Sequence, residues 1–392
     1  MSFLGYQRED GSVGIRNKIL VIALSDCCEP VARKIASAAN DAVAITQHHG
    51  CINDPIVINT LIGVSTNPNI GAVLLLMMGC EGMDASGIIG KIESAGRPLR
   101  TITMQEVGGT SKAIKAGFKY VREFQDLIDS QKRIEAGIDK LIIGVKCGGS
   151  DATNGMSGNP AVGVASDLLV DAGGTVILSE PIEALGAEQF LMDRAVDDQV
   201  KNEIKTTVMN EFRRYNIDKS VAEVMCKGNY KGGLSTIEEK ALGAILKSGT
   251  RKILGVLKVN KHVIEKPNAS GGCFFQDGTH VEPMAMTLMA AAGAQLVVYV
   301  SGRGGVLGHA VLPFINVNGN PNTCKTMSDD IDVCAGGIID GDESLSVVGK
   351  KIFDEILSTI NGKDTKSEMF GYDNFSVFTR DQRLESLLGI EQ

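Results

Sequence analysis

What most limits the fold of this chain is an alternation of short, uninterrupted apolar runs with amphipathic stretches of helical period. Lys18–Leu24 (KILVIAL), Ala42–Thr46, Gly71–Met78 (GAVLLLMM) and Arg100–Met104 read as strands, with helices over Glu29–Ala39, Pro55–Gly63 and about Thr110–Lys132 between and after them. A strand that is apolar on both faces must be covered on both, and helix-length connections do so in a parallel sheet. The pattern restarts with strands at Lys140–Val145, Thr175–Ser179, Ile253–Lys258, Gln295–Val300 and Phe314–Val317. Helices are expected at Pro160–Ala172, Asp197–Tyr215, Thr236–Lys247 and Ser344–Ile360, and the charged stretch Ser130–Glu135 marks the break. The expected fold is α/β, with two domains over 1–133 and 134–392, each built on a mainly parallel sheet. A length of 392 residues suffices for two domains of roughly 150 residues, each with its own core.

Lys and Arg number 39 against 47 Asp and Glu, a net charge of −8, which argues against a nucleic-acid partner. The opening residues lack an apolar leader core and no run approaches the length of a membrane span, so the expectation is a cytoplasmic protein without a membrane partner. Nine cysteines favour reduced thiols over a disulfide framework. Glycine is in excess, 46 residues, and close backbone approach in loops suits small-ligand binding.

The cysteines fall at strand ends: Cys27 and Cys28 after the first strand, Cys51 after the second, Cys80 after the third, and Cys147 after the first strand of the second half. Ligands of open parallel sheets bind beyond the carboxyl ends of the strands. Four such ends with thiols, and with His48, His49, Glu81 and Asp151 in the same loops, suit a soft metal or an iron–sulfur site. For any single one, burial as inert filler is the competing reading. Cys226, Cys273, Cys324 and Cys334 fit no such pattern and read as structural. His262 and His280 read as solvated loop residues in a polar, Gly-rich excursion, Lys261–His280. Three Gly-rich segments add to the picture. Cys147–Pro160 runs from strand into helix and offers amides to an anion. Lys231–Lys240 carries a capping-box pattern, Ser235 with Glu238. Ser301–His309 carries Arg303 and His309 without the acidic residue of a dinucleotide fingerprint. Together they suggest a pocket for a polyanionic or polyhydroxylated small molecule.

Tyr6–Asn17 (YQREDGSVGIRN), the loop ending at Cys51, Asn67–Val73 (NPNIGAV), Gly79–Glu81, Cys147–Asp151 (CGGSD) and Gly232–Gly243 (GGLSTIEEKALG) resemble the altronate/galactarate dehydratase family, in order and along most of the chain. The resemblance implies an iron-dependent lyase acting on a hydroxy acid, with a dimerising domain followed by a C-terminal Rossmann-like domain. It implies a homodimer of this chain and a separate small subunit carrying the β-clip (SAF) domain that longer members hold at their start. A sulfolactate sulfo-lyase branch shares this split layout, but thiols at Cys51 and Cys80 mark the dehydratase branch. Two positions depart from the family pattern: a histidine falls on Gln47 and a lysine on Asn316.

The expected reaction removes water from an altronate- or galactarate-type 2,3-dihydroxy acid to give a 2-keto-3-deoxy acid, and the alternatives are release of sulfite from (2R)-3-sulfolactate or a non-catalytic paralogue. A Lewis acid must stabilise the enolate-like charge while a base takes the α-proton. The expected metal is iron, as Fe2+ or as a [4Fe–4S] cluster, held among Cys28, Cys51, Cys80, Glu81 and Cys147. His49, Lys240 and His309 are the candidate catalytic residues. Arg8, Arg16, Asn17, Gly149, Ser150, Asp151 and Arg303 are the candidate substrate ligands.

Overall fold

The computed structural model describes residues 1–217, 225–259, 271–380 and 390. Strands β1 (Ser2–Gln7) and β2 (Val13–Gly14) lead into a four-stranded sheet formed by β3 (Lys18–Ala23), β4 (Ala42–Thr46), β5 (Ile70–Met77) and β6 (Leu99–Thr103). Its order is β4-β3-β5-β6 and every pairing is parallel. Residues of period two divide between its faces. Ile19, Val21, Leu74 and Leu76 pack under the Glu29–Ala36 and Thr110–Ser130 helices. Leu20, Ile22, Val73 and Leu75 pack under the Pro55–Ser65 and Ala85–Ser94 helices.

After β7 (Ile134–Gly137) come β8 (Ile142–Cys147), β9 (Thr175–Leu178), β10 (Ile253–Leu257), β11 (Gly272–Gln276), β12 (Leu296–Ser301), β13 (Phe314–Asn318) and β14 (Val333–Cys334). These seven form a second sheet, order β10-β11-β9-β8-β12-β13-β14, parallel throughout. One face is covered by the Asn159–Asp171 and Leu345–Ile360 helices, the other by Glu282–Ala291. The α/β fold with two mainly parallel sheets is therefore what the alternation predicts. No helix among the described residues is long and apolar enough to cross a membrane.

The two sheets share a core. The Pro55–Ser65 helix lies against Glu282–Ala291 so closely that a Cβ on Gly63 would sit 2.5 Å from the Ala291 carbonyl oxygen. Buried amides join the two halves beside this contact. Asn67 Nδ2 donates to the carbonyls of Ala290 and Ala294, both at 2.8 Å. Asn69 Nδ2 donates to Gln295 O (2.8 Å) and Val311 O (3.2 Å), while its Oδ1 accepts from Ile15 N (3.0 Å) and Arg16 N (3.2 Å). Gln295 in turn donates to Val13 O (2.6 Å) and accepts from Ile142 N (2.6 Å).

Three features depart from the sequence reading. The charged break is no free linker, because β7 pairs antiparallel with β1, Ser2 opposite Gly137, in a small sheet that also holds β2. The Gly-rich excursion contains β11, which lies between β10 and β9; a five-residue GCFFQ run is too short to stand out. His262 lies outside the described residues. Cys324 and Cys334 are joined in a disulfide, where reduced thiols were expected: Cys334 lies opposite Asn318 at the end of β13, and the Pro321–Thr326 helix that follows β13 sets the Cys324 sulfur against the Asn318 carbonyl.

An Asn69→Ala chain loses four hydrogen bonds to buried or half-buried backbone groups, and unpartnered groups of this kind cost about 1–3 kcal/mol each. Its unfolding free energy in urea is expected to fall by at least about 2 kcal/mol, with helix content unchanged by circular dichroism.

Candidate active site at two strand-end crevices

In each sheet the chain reverses its direction of travel once, between β3 and β5 in the first and between β8 and β12 in the second. Such points open a crevice beyond the carboxyl ends of the strands, and the thiol-bearing loops sit at both.

The second crevice holds a buried charged cluster. Lys146 and Cys147 close β8, and Glu180 follows β9 with φ +76°, the one non-glycine residue with positive φ among the described residues. Backbone strain of this kind costs about 1–3 kcal/mol and gathers at functional sites. It turns the Glu180 carboxylate onto Lys146, onto Lys247 Nζ (2.9 Å) and onto the Cys147 amide (3.3 Å). Glu183 accepts from Lys240 Nζ at 2.7 Å, and its other oxygen lies 3.5 Å from Cys147 Sγ. Lys247 Nζ is 3.3 Å from the same sulfur. All six side chains are buried.

Burial alone would push the three ammonium groups down, but the carboxylates hold all three above the usual lysine range. Burial, then the charge of Glu183, pushes Glu180 up. Burial works the same way on Glu183, but Lys240 and the other lysines override it and hold its carboxyl down. Burial pushes the Cys147 thiol up to about 12, so it stays neutral. Three cations thus face two carboxylates within the cluster, and the charge of Glu282 also acts on Lys146. Cys147, Glu180 and Glu183 place ligand atoms within 4.8 Å of one another. Each carboxylate oxygen nearest that point already faces an ammonium or thiol, so this donor set suits an anion and not a metal.

A small cavity, with room for about one water molecule, reaches this cluster, lined by Cys147, Ser150, Asp151, Asn154, Asn159 and Lys240. The three Gly-rich segments meet around it. A Cβ on Gly232 would lie 2.5 Å from Asp151 Cβ, and one on Gly302 would overlap the Asp151 carboxylate. Gly149, at φ +52°, accepts from the Arg303 amide at 2.9 Å. The Ser150 carbonyl accepts from Asn229 Nδ2 at 2.9 Å. Asp151 accepts from Thr153 N and Asn320 Nδ2, each at 2.9 Å, so its carboxylate positions the loop. The chain then makes a π-helical turn at Asn154–Gly158, a widened geometry found at functional sites. Asn159 follows, 1 % exposed, with neither Oδ1 nor Nδ2 hydrogen-bonded. An orphaned amide on a cavity wall is a group waiting for a ligand. The Ile237–Ile245 helix, which begins within Lys231–Lys240, is capped by Thr236, which accepts from Glu239 N at 3.2 Å, one residue beyond the expected Ser235–Glu238 box.

In the first crevice, Cys27, Cys51 and Cys80 are exposed. Cys28 lies beneath in the core, its thiol pushed up to about 11 by burial. Burial opposes ionisation of Glu81, but the amides of Met78 and Gly79 hold its carboxyl below the usual range; with Gly79 N at 2.8 Å and Met78 N on its other oxygen, it braces the β5 loop. Burial, then Cys27, Cys80 and Glu81, pushes the Cys51 thiol up. His49 Nε2 donates to Val377 O at 2.7 Å, leaving Nδ1 as its acceptor. Exposed thiols are soft donors of the kind iron takes.

The structure does not gather all the expected site residues. Cys147 belongs to the second crevice, apart from Cys51 and Cys80. His309 is buried, accepting from Val311 N (3.2 Å) at Nδ1 and donating to Thr287 Oγ1 (3.1 Å) at Nε2; burial and then Lys18 push it down to about 3, so it is a neutral core group without access to a substrate. Arg8 donates to Pro68 O at 2.7 Å and Arg16 O at 3.3 Å. Arg16 makes a bidentate pair with Glu368, both bonds 2.8 Å, and Asn17 donates to Gln131 Oε1 at 3.0 Å. These three tie the opening segment to the rest of the chain, so their donors are already engaged away from either crevice. Arg303 is exposed, and its guanidinium makes no hydrogen bond among the described residues. His280 is half-buried and bonded to Tyr215 Oη at 2.8 Å, not solvated. Lys146, Asn159, Glu180, Glu183 and Lys247 were not visible as site residues: nothing in a sequence announces a buried charge except an ionisable residue at the end of an apolar strand, as in KLIIGVKC.

Fold and site define an open, doubly wound α/β protein with its chemistry at strand ends and a cationic interior suited to a small organic acid. The chain belongs to the D-galactarate/altronate dehydratase family. Residues 138–382 match the family's C-terminal model (D-galactarate/Altronate dehydratase, C-terminal), and residues 5–129 match its second-domain model (D-galactarate dehydratase/Altronate hydrolase, second domain). The chain is 33% identical to the (2R)-sulfolactate sulfo-lyase subunit beta of Chromohalobacter salexigens, over 97% of both chains. It is 29% identical to the altronate dehydratase of Bacillus subtilis, over 96% of this chain and 77% of that one. Against the galactarate dehydratase (L-threo-forming) of Escherichia coli the identity is 29%, over 95% and 75%.

His309 titrates near 3 in the folded chain and near 6.5 unfolded, so its neutral form favours folding above pH 6.5 and that advantage is lost as pH falls. The stability gap between the native chain and His309→Gln is expected to narrow by up to about 1.4 kcal/mol per pH unit from 6.5 towards 4, measured by urea unfolding across that range.

Proposed function

We propose that this chain is the large subunit of a carbon–oxygen lyase that removes water from a sugar acid of the altronate/galactarate type, giving a 2-keto-3-deoxy acid. One observation carries the reading: a small cavity at the end of β8 with Lys240 and the unpartnered Asn159 on its walls, backed by a buried cluster of three lysines and two glutamates. Lys240, kept cationic by Glu183, faces the substrate carboxylate and the negative charge that builds when the neighbouring C–H proton leaves. Asn159 satisfies its amide on a substrate hydroxyl, and Arg303 attracts the acid from the rim. Departure of the hydroxyl group would need a Lewis acid reaching this same cavity, and the exposed thiols of the first crevice are the donors that would hold iron. A small β-clip subunit and a second copy of this chain complete the enzyme, in the cytoplasm. The partner is supported by the relative named subunit beta, which this chain matches over nearly its whole length.

That same relative supports a second reading, in which the leaving group is sulfite and the substrate (2R)-3-sulfolactate. Both acids present a carboxylate with a leaving group on the β-carbon, so one site chemistry serves either.

An anaerobic panel of sugar acids and sulfolactate, assayed with the chain co-purified with its small subunit, separates them. The expected product is a 2-keto-3-deoxy acid without sulfite; sulfite establishes the second reading, and no product from any acid sinks both. Lys240→Met is expected to lower kcat/KM at least about 100-fold in a chain that folds normally by circular dichroism.

A further inference from the structure

The Cys324–Cys334 disulfide sits on a corner of the chain that closes one side of the second crevice. After β13 the chain turns at residues 318–320 and enters the Pro321–Thr326 helix, which carries Cys324. Hydrogen bonds tie this corner to the cavity walls. Asn320 Nδ2 donates to the Asp151 carboxylate at 2.9 Å. Ser157, within the π-helical turn, donates its hydroxyl to Gly319 O at 2.9 Å. Asn318 Nδ2 donates to Ser301 Oγ at 3.0 Å, and Gly319 N donates to Ser301 O at 3.0 Å. Asp151 itself lines the cavity.

The disulfide in turn holds the corner. Cys324 Sγ lies 3.5 Å from the Asn318 carbonyl oxygen, which also accepts from Ala335 N at 2.7 Å. The Cys324 amide donates to Asn320 O at 2.9 Å, and Asn320 Oδ1 accepts from Asn322 N at 3.0 Å. One asparagine side chain thus caps the cysteine-bearing helix and grips Asp151. On the far side, Cys334 ends β14, an edge strand of two residues. The S–S bond closes the loop between two cysteines 10 residues apart, and closure removes conformations open to that segment.

The bond is also open to exchange. Cys334 is exposed while Cys324 is half-buried, so a thiolate from solution reaches the Cys334 sulfur. In the cytoplasm, the setting proposed for this chain, disulfides that persist are usually transient, catalytic or redox-sensing. Exposed ones are the labile class.

We infer that Cys324 and Cys334 form a thiol–disulfide exchange site, reduced by a dithiol, whose oxidation state sets the order of the cavity wall. A thiolate of the dithiol attacks Cys334 Sγ, the S–S bond breaks, and Cys324 leaves as a thiolate that takes a proton from solvent. The second thiolate of the reductant attacks its partner sulfur in the mixed disulfide and releases Cys334. The Gly336 amide, 3.3 Å from that sulfur, stabilises the departing thiolate until it too is protonated. Two electrons and two protons pass from the dithiol to the pair, and the reductant ends as a disulfide. No step depends on which acid the cavity takes, so the inference goes beyond the lyase reading.

Oxidation state and backbone order are read together on the full chain, purified without reductant. Thiols titrated in denaturant are expected to number seven before and nine after the folded chain is treated with dithiothreitol. On reduction, amide hydrogen exchange is expected to quicken at least about fivefold over residues 149–159 and 318–336, and to stay unchanged across β3 and β5. Cys324→Ser and Cys334→Ser should each show the faster exchange with or without the dithiol. Asn320→Ala should quicken residues 149–159 while the thiol count stays at seven. Nine thiols before reduction, a bond that the folded chain shields from dithiothreitol, or unchanged exchange over 149–159 on reduction overturns the inference. So does a response to the dithiol that survives in Cys334→Ser.

Discussion

Three buried amides, on Asn67, Asn69 and Gln295, fix one half of this molecule against the other. Each reaches backbone groups across the junction of the two sheets, and buried amides of this kind stabilise only when their partners are in place. The apolar contact around Gly63 and Ala291 brings the halves together without specifying how they are set. The amides specify it, because sliding one sheet past the other would strand several donors and acceptors at once.

The two crevices are complementary in their physics. One is dry and cationic, with lysines that stay charged only because Glu180 and Glu183 are buried with them; removing one partner from such an arrangement typically costs about 3–5 kcal/mol. The other is exposed and thiol-rich. Thiols are donors of the kind a soft metal takes, and buried ammonium groups are partners of the kind an anion takes. The strained backbone of Glu180 belongs to this division, since it aims a carboxylate at two lysines that would otherwise repel each other.

Most strands of the two sheets were legible because parallel strands buried on both faces must be apolar throughout, as KILVIAL and GAVLLLMM are, whereas the short β11 and β14 were not. The loops that carry function were legible for a related reason: strand ends, glycines and cysteines coincide. Short pairings were hidden, since Ser2–Gln7 and Ile134–Gly137 have no periodicity long enough to register. Partner choice was hidden as well. Arg8 and Arg16 sit in a family-like motif, and only the folded chain shows their guanidinium groups on Pro68, Thr359 and Glu368. Cys147 follows its strand as Cys80 does, yet the two sheets carry them to different crevices. The match of Gln47 to a family histidine proved informative, because the residue is a fully buried brace of the thiol-bearing loops.

The antiparallel pairing of β1 with β7 has a consequence for how the protein is made. A ribosome adding about 5–20 residues per second releases Ser2–Gln7 on the order of ten seconds before Ile134–Gly137 exists. In that interval the four-stranded sheet can fold while the first strand waits with open edges. Arg16 waits longer still, since Glu368 is among the later residues to be synthesised. Ser2–Gln7 thus leaves the ribosome well before its partners and is among the last to find its place, which makes it a stretch that a chaperone would meet in the nascent protein.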